Sequence, residues 1–449
     1  MFIQSVSRRQ LWAWAEWLYA SIVIFALTQG PIYQLWRESA DYVSVIAEPS
    51  PRHVHFATFL LVQIPGVFLF ARRMPATWFS ARPIQLLAAF LGWLILSSGA
   101  SSFARQSIPE VVALLATTGF GLYLVVSFSV RSVLWQLLVA MTAGLGLSYL
   151  AVVRLWDGAR NQLDDYWIGI YLNRNSLAPV AAVGVISAVL LFCVHRNSAR
   201  AMLLRRATSL LVVLSGAAML YQSESITSVG SLVITFVVVV FWLVMNRIAI
   251  NRWRVGAQRR LLAITILGAS VIVGVGLVVV VRTPTLLDRT DAFSSRAPLW
   301  SLNWTGFLER PFLGWGWMAA WDVPDFRKQG EWWVVSWDNA WAHSGYFDLL
   351  LGGGIVAVAL FVTWVLVSCS HRVRLPGQNQ SSVSIIAPVA VSIFVLAAAT
   401  QESFFIGSHF LWALLVWGLT STALAADVNQ PAGSPQVGAP NVEQAPTHH

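Results

Sequence analysis

Charged side chains are scarce in this chain. Lys, Arg, Asp and Glu make up 11% of its 449 residues, whereas 57% of the residues are hydrophobic. The mean hydropathy is +0.65. This balance excludes a soluble globular domain and indicates a polytopic membrane protein.

Residues that build disulfide, metal or cofactor sites are also few. The two cysteines, Cys193 and Cys369, cannot form a disulfide framework, and we expect both to be free thiols. There is no Walker loop, no clustered Cys and His set, no Gly-x-Ser-x-Gly elbow and no Asp-x-Asp pair. His53 and His55 lack a third ligand nearby. The sequence therefore predicts neither a metal nor a soluble cofactor.

Long apolar runs dominate instead, and about twelve of them are long enough, or nearly so, to cross a hydrocarbon layer of ~30 Å. They predict an all-α fold with a single transmembrane domain over residues 1–425. We expect a large extracytoplasmic loop with short helices at about residues 282–344, and a disordered cytoplasmic tail at 426–449. The runs centre on residues 12–29, 56–71, 84–100, 108–130, 133–152, 177–194, 209–221, 227–246, 261–281, 345–368, 384–400 and 404–425.

The distribution of charge predicts a cytoplasmic amino terminus. In that orientation most of the 29 basic residues fall in inner loops, whereas nearly every acidic residue falls on or near the outer side. The net charge of +9 does not indicate nucleic acid, because the arginines are dispersed beside hydrophobic spans and form no single basic face. Anionic lipid headgroups are the expected partner.

Polar residues concentrate in four outer segments, which converge on one face if the spans form one bundle. The first segment ends in Asn173-Arg174-Asn175-Ser176, immediately before a helix. A cation and two amides at a helix start can hold a phosphate, because free backbone N–H groups and the helix dipole attract an anion. The alternative is a plain N-cap by Asn175 or Ser176, with Arg174 reaching to lipid headgroups.

The second segment is the turn from Tyr221 to Ser228 between two spans. Its small hydroxyl residues favour close helix packing, and within membranes such residues also hydrogen-bond across helix interfaces. Glu224 is costly near a membrane without a partner. We expect it to pair with one of the outer arginines.

The third segment is the long loop, which combines arginines with tryptophans. Tryptophans lie naturally at the headgroup level, but their density here favours a surface that stacks on sugar rings. The spacing from Arg296 to Trp304 predicts a helix lying on the membrane, ended by Arg310-Pro311, with Arg296 and Trp300 on one side. The residues concerned are Arg282, Arg289, Arg296, Arg310, Arg327, Trp300, Trp304, Trp315, Trp317, Trp321, Trp332, Trp333, Trp337 and Trp341.

The fourth segment contains His343, just ahead of Gly345-Tyr346 and an apolar span with glycines at 352–354. Histidine titrates near neutrality, so it can accept a hydroxyl proton without a metal. A hydrogen-bonded structural histidine is the alternative. Asp348, one turn on, can orient His343 or cap the helix, and the glycines permit close helix packing.

The motifs of these segments follow one another in a recognisable order. They are Gly-x-x-x-Asn-Arg-Asn at 169–175, Ser-x-Ser-x-Thr-x-x-Gly at 223–230, Arg-x-x-x-Trp and Arg-Pro-x-x-Gly-x-Gly within 296–316, and His-Ser-Gly-Tyr-x-Asp at 343–348. In order, spacing and predicted side of the membrane, over roughly residues 160–425, they resemble the O-antigen ligase and Wzy-type polymerase superfamily.

The resemblance implies a metal-independent, inverting glycosyltransferase of the plasma (inner) membrane with its active site on the extracytoplasmic side. Its donor would be an undecaprenyl-pyrophosphate-linked glycan, and its acceptor a hydroxyl on a lipid or a growing polysaccharide. Arg296 and Arg174 would contact the pyrophosphate, while His343 would position or deprotonate the acceptor. We predict His343 and Arg296 as catalytic residues and, for substrate binding, Arg174, Asn175, Arg289, Trp300, Glu224, Tyr346 and Glu402.

Two questions stay open at the level of sequence. The motifs do not distinguish a ligase from a polymerase. A transporter or flippase of lipid-linked saccharides is the main alternative, and its polar residues would lie within the spans at the bilayer midplane. The inner parts of the apolar runs are almost free of charge, which favours the enzyme, and a purely structural membrane protein would leave the Arg296 and His343 arrangement without a purpose.

Overall fold

The computed structural model describes residues 7–32, 50–154, 159–160, 165–193, 199–250, 296–322, 341–370 and 382–424. Every named element in these ranges is a helix, and one isolated antiparallel bridge joins Arg160 to Trp167. The predicted tail, the apolar run at 261–281 and most of the predicted long loop lie outside the described residues.

The α-helices, numbered here in chain order, follow the apolar runs. They are α1 Arg8–Leu27, α2 Ser50–Arg73, α3 Arg82–Gly99, α4 Ala104–Ser127, α5 Val130–Val153, α6 Arg174–Phe192, α7 Ala199–Ser223, α8 Ile226–Ile250, α9 Arg296–Glu309, α10 Gly345–Ser370, α11 Ser382–Ala398 and α12 Phe410–Leu424. Short 3-10 helices cover Ala76–Ser80 and Ala320–Asp322.

Seven of the described helices contain stretches that are long and apolar enough to cross a membrane, namely α1, α4, α5, α6, α7, α8 and α10. α11 and α12 are apolar but shorter. The predicted all-α, multi-pass class is confirmed in this coarser form. The count of about twelve spans and the orientation of the chain stay predictions.

α12 lies at the centre of the described bundle. Every residue from Phe410 to Leu424 is buried, as expected of a helix that is apolar on all sides. α4, α10 and α11 pack against it, and the Trp412 indole donates a hydrogen bond of 2.9 Å to the Thr118 hydroxyl of α4. These neighbours hold the start of α12, and therefore the loop at residues 399–409 that leads into it.

α10 breaks at Gly354, where φ is +65° and ψ is −167°. A loop backbone enters the break, because Ile355 N donates to Pro311 O at 2.8 Å and Trp315 N donates to Leu351 O at 2.7 Å. Glycine adopts this backbone region without steric cost. The glycines of the span thus admit a loop as well as allowing close packing, which the sequence alone did not predict.

Candidate active site

Glu402, in the loop between α11 and α12, is the centre of a polar cluster, and only 10% of its side chain is exposed. One carboxylate oxygen, Oε1, forms an ion pair with Arg296 Nη2. The other oxygen, Oε2, lies 3.2 Å from His343 Nδ1. Paired in this way, the carboxylate avoids the cost of an isolated charge away from water. The structure therefore brings together Arg296, His343 and Glu402.

Arg296 is the first residue of α9, and α9 packs against the first turns of α10. Leu299 and Trp300, one turn further on, are each 1% exposed and anchor the helix in a small core with Phe347. The guanidinium is therefore presented from a fixed helix end. α9 ends at Glu309, before Arg310-Pro311, as the sequence predicts.

His343 lies two residues before α10 with φ at +49°, in the left-handed region that non-glycine residues rarely adopt. The backbone of the preceding residue, Ala342, is held by hydrogen bonds on both sides. Ala342 N donates to Asp348 Oδ1 at 3.2 Å, and Asn303 Nδ2 donates to Ala342 O at 3.2 Å. Asp348 therefore anchors the backbone beside His343, and α9 contributes through Asn303. A backbone conformation of this kind, fixed by its neighbours, is common at functional sites.

Two amide side chains extend the cluster towards α6 and α8. Asn175 Nδ2 donates to Glu402 Oε1 at 2.6 Å, and Ser225 Oγ donates to Asn175 Oδ1 at 2.9 Å. Gln401 Oε1 accepts from Thr227 Oγ1 at 3.1 Å and from the Arg296 guanidinium at 3.4 Å. Two hydroxyls of the turn at residues 221–228, Ser225 and Thr227, are therefore hydrogen-bond donors to the cluster, whereas the sequence interpretation gives these residues mainly a packing role.

The start of α6 differs from the predicted cap. Asn173 is the N-cap, and its Oδ1 accepts from Ser176 N at 2.9 Å, so neither alternative, Asn175 or Ser176, has that role. The Arg174 guanidinium carbon lies 4.7 Å from the centre of the Tyr166 ring, a cation–π contact. Arg174 follows the cap directly, beside Asn175, and its described contact is with this aromatic ring.

The loop before α6 is tied to α1 by a buried phenol. Tyr171 Oη lies 3.3 Å from the Thr28 hydroxyl. Burial raises the pKa of Tyr171, so the phenol remains a neutral hydrogen-bonding group and not a titrating one. This contact fixes the segment that leads into Arg174 and Asn175.

Other predicted binding residues lie in surroundings that indicate structural roles. Glu224 is exposed, with φ at +53°, and forms no ion pair with any described residue. Because Arg282, Arg289 and Arg327 lie outside the described residues, the expected pairing with an outer arginine stays a prediction. Tyr346 Oη donates to Leu396 O at 3.0 Å, and its ring packs edge-on against Phe405. Arg289 lies outside the described residues.

Most of the described loop tryptophans are core residues. Trp315, Trp317 and Trp321 are at most 7% exposed, like Trp300, whose ring lies 6.1 Å from that of Phe347. Their rings present no open face, so the prediction of a sugar-stacking surface is wrong for these four. Burial follows from the packing of α9 and the following loop on α10, which the local sequence does not reveal. Trp304, at 50% exposed, does face outwards, and Trp332, Trp333 and Trp337 lie outside the described residues.

The geometry of the cluster sets what its groups can do. When neutral His343 carries its proton on Nδ1, it donates to Glu402 Oε2 and keeps its lone pair on Nε2. The Glu402 carboxylate orients the ring, as the carboxylate does in other carboxylate–histidine pairs that accept a hydroxyl proton. The guanidinium beside it has the planar donor geometry that binds phosphate oxygens. Within the described ranges, no three His, Cys, Asp or Glu side chains are grouped to hold a metal ion, and Cys193 and Cys369 are unpaired.

Comparison with known families agrees with the predicted resemblance. Residues 209–362 match a family model described as O-antigen ligase. The match contains Arg296 and His343, whereas Asn175 and Glu402 lie outside it. No curated protein matches the chain. The resemblance to the O-antigen ligase and Wzy-type superfamily is thereby confirmed over residues 209–362.

Proposed function

We propose, from the similarity of residues 209–362 to the O-antigen ligase family, that this protein is a membrane glycosyltransferase. It transfers a glycan from a polyprenyl-pyrophosphate carrier of the undecaprenyl type to a hydroxyl of a lipid or of a growing polysaccharide. The observation that carries the proposal is the division of the Glu402 carboxylate between the Arg296 guanidinium and the His343 imidazole.

In the proposed reaction the acceptor hydroxyl gives its proton to His343 Nε2 while its oxygen forms a bond to the anomeric carbon of the donor. The bond from that carbon to the pyrophosphate oxygen breaks, and its electron pair leaves with the polyprenyl pyrophosphate. Attack from the face opposite the leaving group inverts the anomeric carbon. The Glu402 carboxylate stabilises the imidazolium that forms, as in other histidine bases with a carboxylate partner.

Arg296 supplies positive charge where the leaving group gains negative charge. Preorganised donors at a developing anion are usually the largest contribution to such catalysis. The guanidinium has five N–H donors in one plane, so it can keep Glu402 on Nη2 and bind phosphate oxygens with others. A metal ion is not required in this mechanism, because the charge is provided by the protein.

The placement of the polar groups supports an enzyme over a transporter. Glu402 and His343 lie in loops at helix ends, and Arg296 begins a short helix. A transporter is expected to hold its substrate at broken helices near the bilayer midplane. We place the site on the extracytoplasmic side, in agreement with the distribution of basic residues.

The proposal is tested with purified protein and a lipid-linked glycan donor. We expect His343→Ala and Arg296→Ala to abolish transfer while membrane insertion and thermal stability stay near those of the unmodified protein. Arg296→Lys should also lose much of the activity, because an ammonium cannot reproduce the planar grip of a guanidinium on phosphate. Full activity in both alanine variants would exclude the proposed site.

The ligase and polymerase reactions are distinguished by their products in cells. Mass spectrometry of the glycan and its attached lipid is compared with and without the protein. Loss of chain length indicates a polymerase. Accumulation of full-length chains on the carrier indicates a ligase, and unchanged glycans would contradict both.

A further inference from the structure

We propose that Asn175 is a positioning residue for this reaction, whose amide fixes the rotation of the Glu402 carboxylate so that one oxygen serves Arg296 and the other serves His343. The inference rests on the proposed function. It also assigns to Asn175 a role towards a protein group, where the sequence indicated a direct contact with phosphate.

The Glu402 carboxylate divides its two oxygens between different partners. Oε1 of Glu402 receives both the Arg296 guanidinium and the Asn175 amide, the latter at 2.6 Å. Oε2 is thereby directed to His343 Nδ1 at 3.2 Å. The terminal torsion of a glutamate is soft, and a guanidinium readily takes both oxygens of a carboxylate. Without Asn175, Arg296 is free to draw both oxygens to itself and away from His343.

The orientation of the Asn175 amide is itself determined by its two hydrogen-bond partners. Ser225 Oγ donates to Asn175 Oδ1 at 2.9 Å, and Ser225 is 2% exposed. An amide oxygen only accepts and an amide nitrogen only donates. The hydroxyl on one side and the carboxylate on the other therefore both require the nitrogen to face Glu402.

The residues of this hydrogen-bond network come from separate parts of the chain. Asn175 belongs to the first turn of α6, and Ser225 to the turn between α7 and α8. Arg296 and His343 come from the α9 and α10 side of the cluster. The Ser225–Asn175–Glu402 chain thus links two separate parts of the bundle, and it couples the position of the carboxylate to the packing of α6 on α7.

Asn173 provides a matched control two residues away. It caps α6 through Ser176 N and makes no described contact with Glu402. An Asn→Ala change at a helix N-cap costs about 1 kcal/mol of stability. A merely structural role of Asn175 would give Asn175→Ala and Asn173→Ala the same consequences.

The test measures transfer by purified variants from a lipid-linked glycan donor as a function of pH. Among the described residues, the charged and titratable groups around His343 are Glu402 and Arg296 from neighbouring elements and Asp348 on α10. We expect Asn175→Ala to lower kcat about tenfold, the effect of losing one hydrogen bond to a charged group. Its pH–rate profile should also differ from that of the unmodified protein, because the contact between His343 and the carboxylate is loosened.

Two further variants keep the test independent of folding. Asn175→Asp preserves the side-chain volume but replaces the donor with a group that repels Glu402 when ionised, and we expect at least the same loss of kcat. Ser225→Ala should shift the rate in the same direction by a smaller factor. Asn173→Ala should lower the melting temperature and leave kcat per folded protein and the pH profile unchanged.

The two levels of the proposal fail differently. Unchanged kcat and pH profile in Asn175→Ala or in Asn175→Asp, with His343→Ala inactive, would overturn the positioning role and leave the proposed function standing. Equal shifts of the pH profile in the Asn173 and Asn175 variants would also overturn it. Full transfer by His343→Ala would instead overturn the proposed function.

Discussion

Two Arg–Glu pairs lie at different ends of the described bundle, and they differ in what surrounds the carboxylate. In the first pair, both terminal guanidinium nitrogens of Arg73, Nη1 and Nη2, contact Glu16 of α1. Arg73 is the last residue of α2. Tyr123 Oη of α4 donates to Glu16 at 3.0 Å, and Ser127 Oγ accepts from Arg73 at 2.8 Å. This pair joins the middle of α1 to the ends of α2 and α4, and it has no histidine among its described partners.

The second pair, Arg296 with Glu402, is built from a short helix and a loop, and its carboxylate is shared with His343. α1 shows how far apart the two pairs are. Gln29, just after the end of α1, donates to Ser408 O at 3.3 Å, and Ser408 belongs to the same loop as Glu402. Glu16 lies about 20 Å earlier along α1, at 1.5 Å per residue.

The comparison teaches that a partly buried ion pair is not by itself a functional site. The Glu16 carboxylate accepts from three donors that stay protonated at neutral pH, so the pair can only hold helices together. The Glu402 carboxylate also contacts the His343 imidazole, a group that can both donate and accept a proton. Side-chain exposure does not decide the matter, since Glu16 and Glu402 are 13% and 10% exposed.

The largest expected difference is between the two arginines. Arg296→Ala should abolish detectable glycan transfer, because removing a preorganised donor from a developing anion usually costs about 10²–10³-fold in rate. Arg73→Ala should keep the transfer rate and lower stability by about 1 kcal/mol, because the side chain is 36% exposed and the pair is partly screened. Transfer assays and thermal unfolding of the purified variants check both. A well-folded Arg73→Ala protein without activity would break the comparison.

The second largest difference is expected between the two carboxylates, Glu402 and Glu16. We expect Glu402→Gln to reduce transfer by about 10–100-fold, the effect of losing a hydrogen bond to a charged group, and to change the shape of the pH–rate profile, because His343 loses its carboxylate partner. Glu16→Gln should leave the shape of the pH–rate profile unchanged. The measurement is kcat/KM across pH for each variant, and the same profile shift in both would mean that the two pairs are not distinct in function.

A smaller effect is expected from the glycine that shapes the α10 break. Gly354→Ala places a Cβ against the carbonyl of Phe312 at a backbone φ of +65°, and we expect a loss of about 1–3 kcal/mol together with reduced transfer. Gly146 of α5 is the matched control, since nothing lies within 4 Å of an added Cβ there. Gly146→Ala should be neutral or stabilising by about 0.5–1 kcal/mol. Equal melting temperatures for the two variants would contradict the role of the break.

The smallest expected change is at the hydroxyl of the first pair. Ser127→Ala removes one acceptor from Arg73, which keeps its contact with Glu16. We expect a decrease in stability of about 0.5–1.5 kcal/mol and no change in transfer. A loss of transfer here would show that the first pair influences the reaction.

Much of the helical framework could be predicted because length and hydropathy are local properties. The run predicted at 133–152 is α5 at Val130–Val153, and the run at 345–368 is α10 at Gly345–Ser370. The short run at 209–221 is the exception, since α7 begins at Ala199. Arginines at 200, 205 and 206 lower the local hydropathy there, but they do not interrupt the helix.

The candidate site was predictable in part. Arg296 and His343 are conspicuous in sequence because the first begins a predicted helix of the long loop and the second lies just ahead of an apolar span. The exposure of the tryptophans was not predictable, since an aromatic ring suits a protein core and a membrane surface equally well. The roles of Asn175 and Ser225 were also out of reach, because their hydrogen bonds link residues far apart in the chain.

By itself, the sequence determined that this is a multi-pass helical protein with a histidine and arginines beside its apolar spans. Hydropathy and charge are local properties of single helices and loops, so they can be determined from the sequence alone. Only the tertiary structure decided that Glu402 stands between Arg296 and His343, with Asn175 on the oxygen that faces Arg296. Hydrogen bonds need atoms within about 3 Å of each other, and only the packing of helices distant in sequence brings these groups that close.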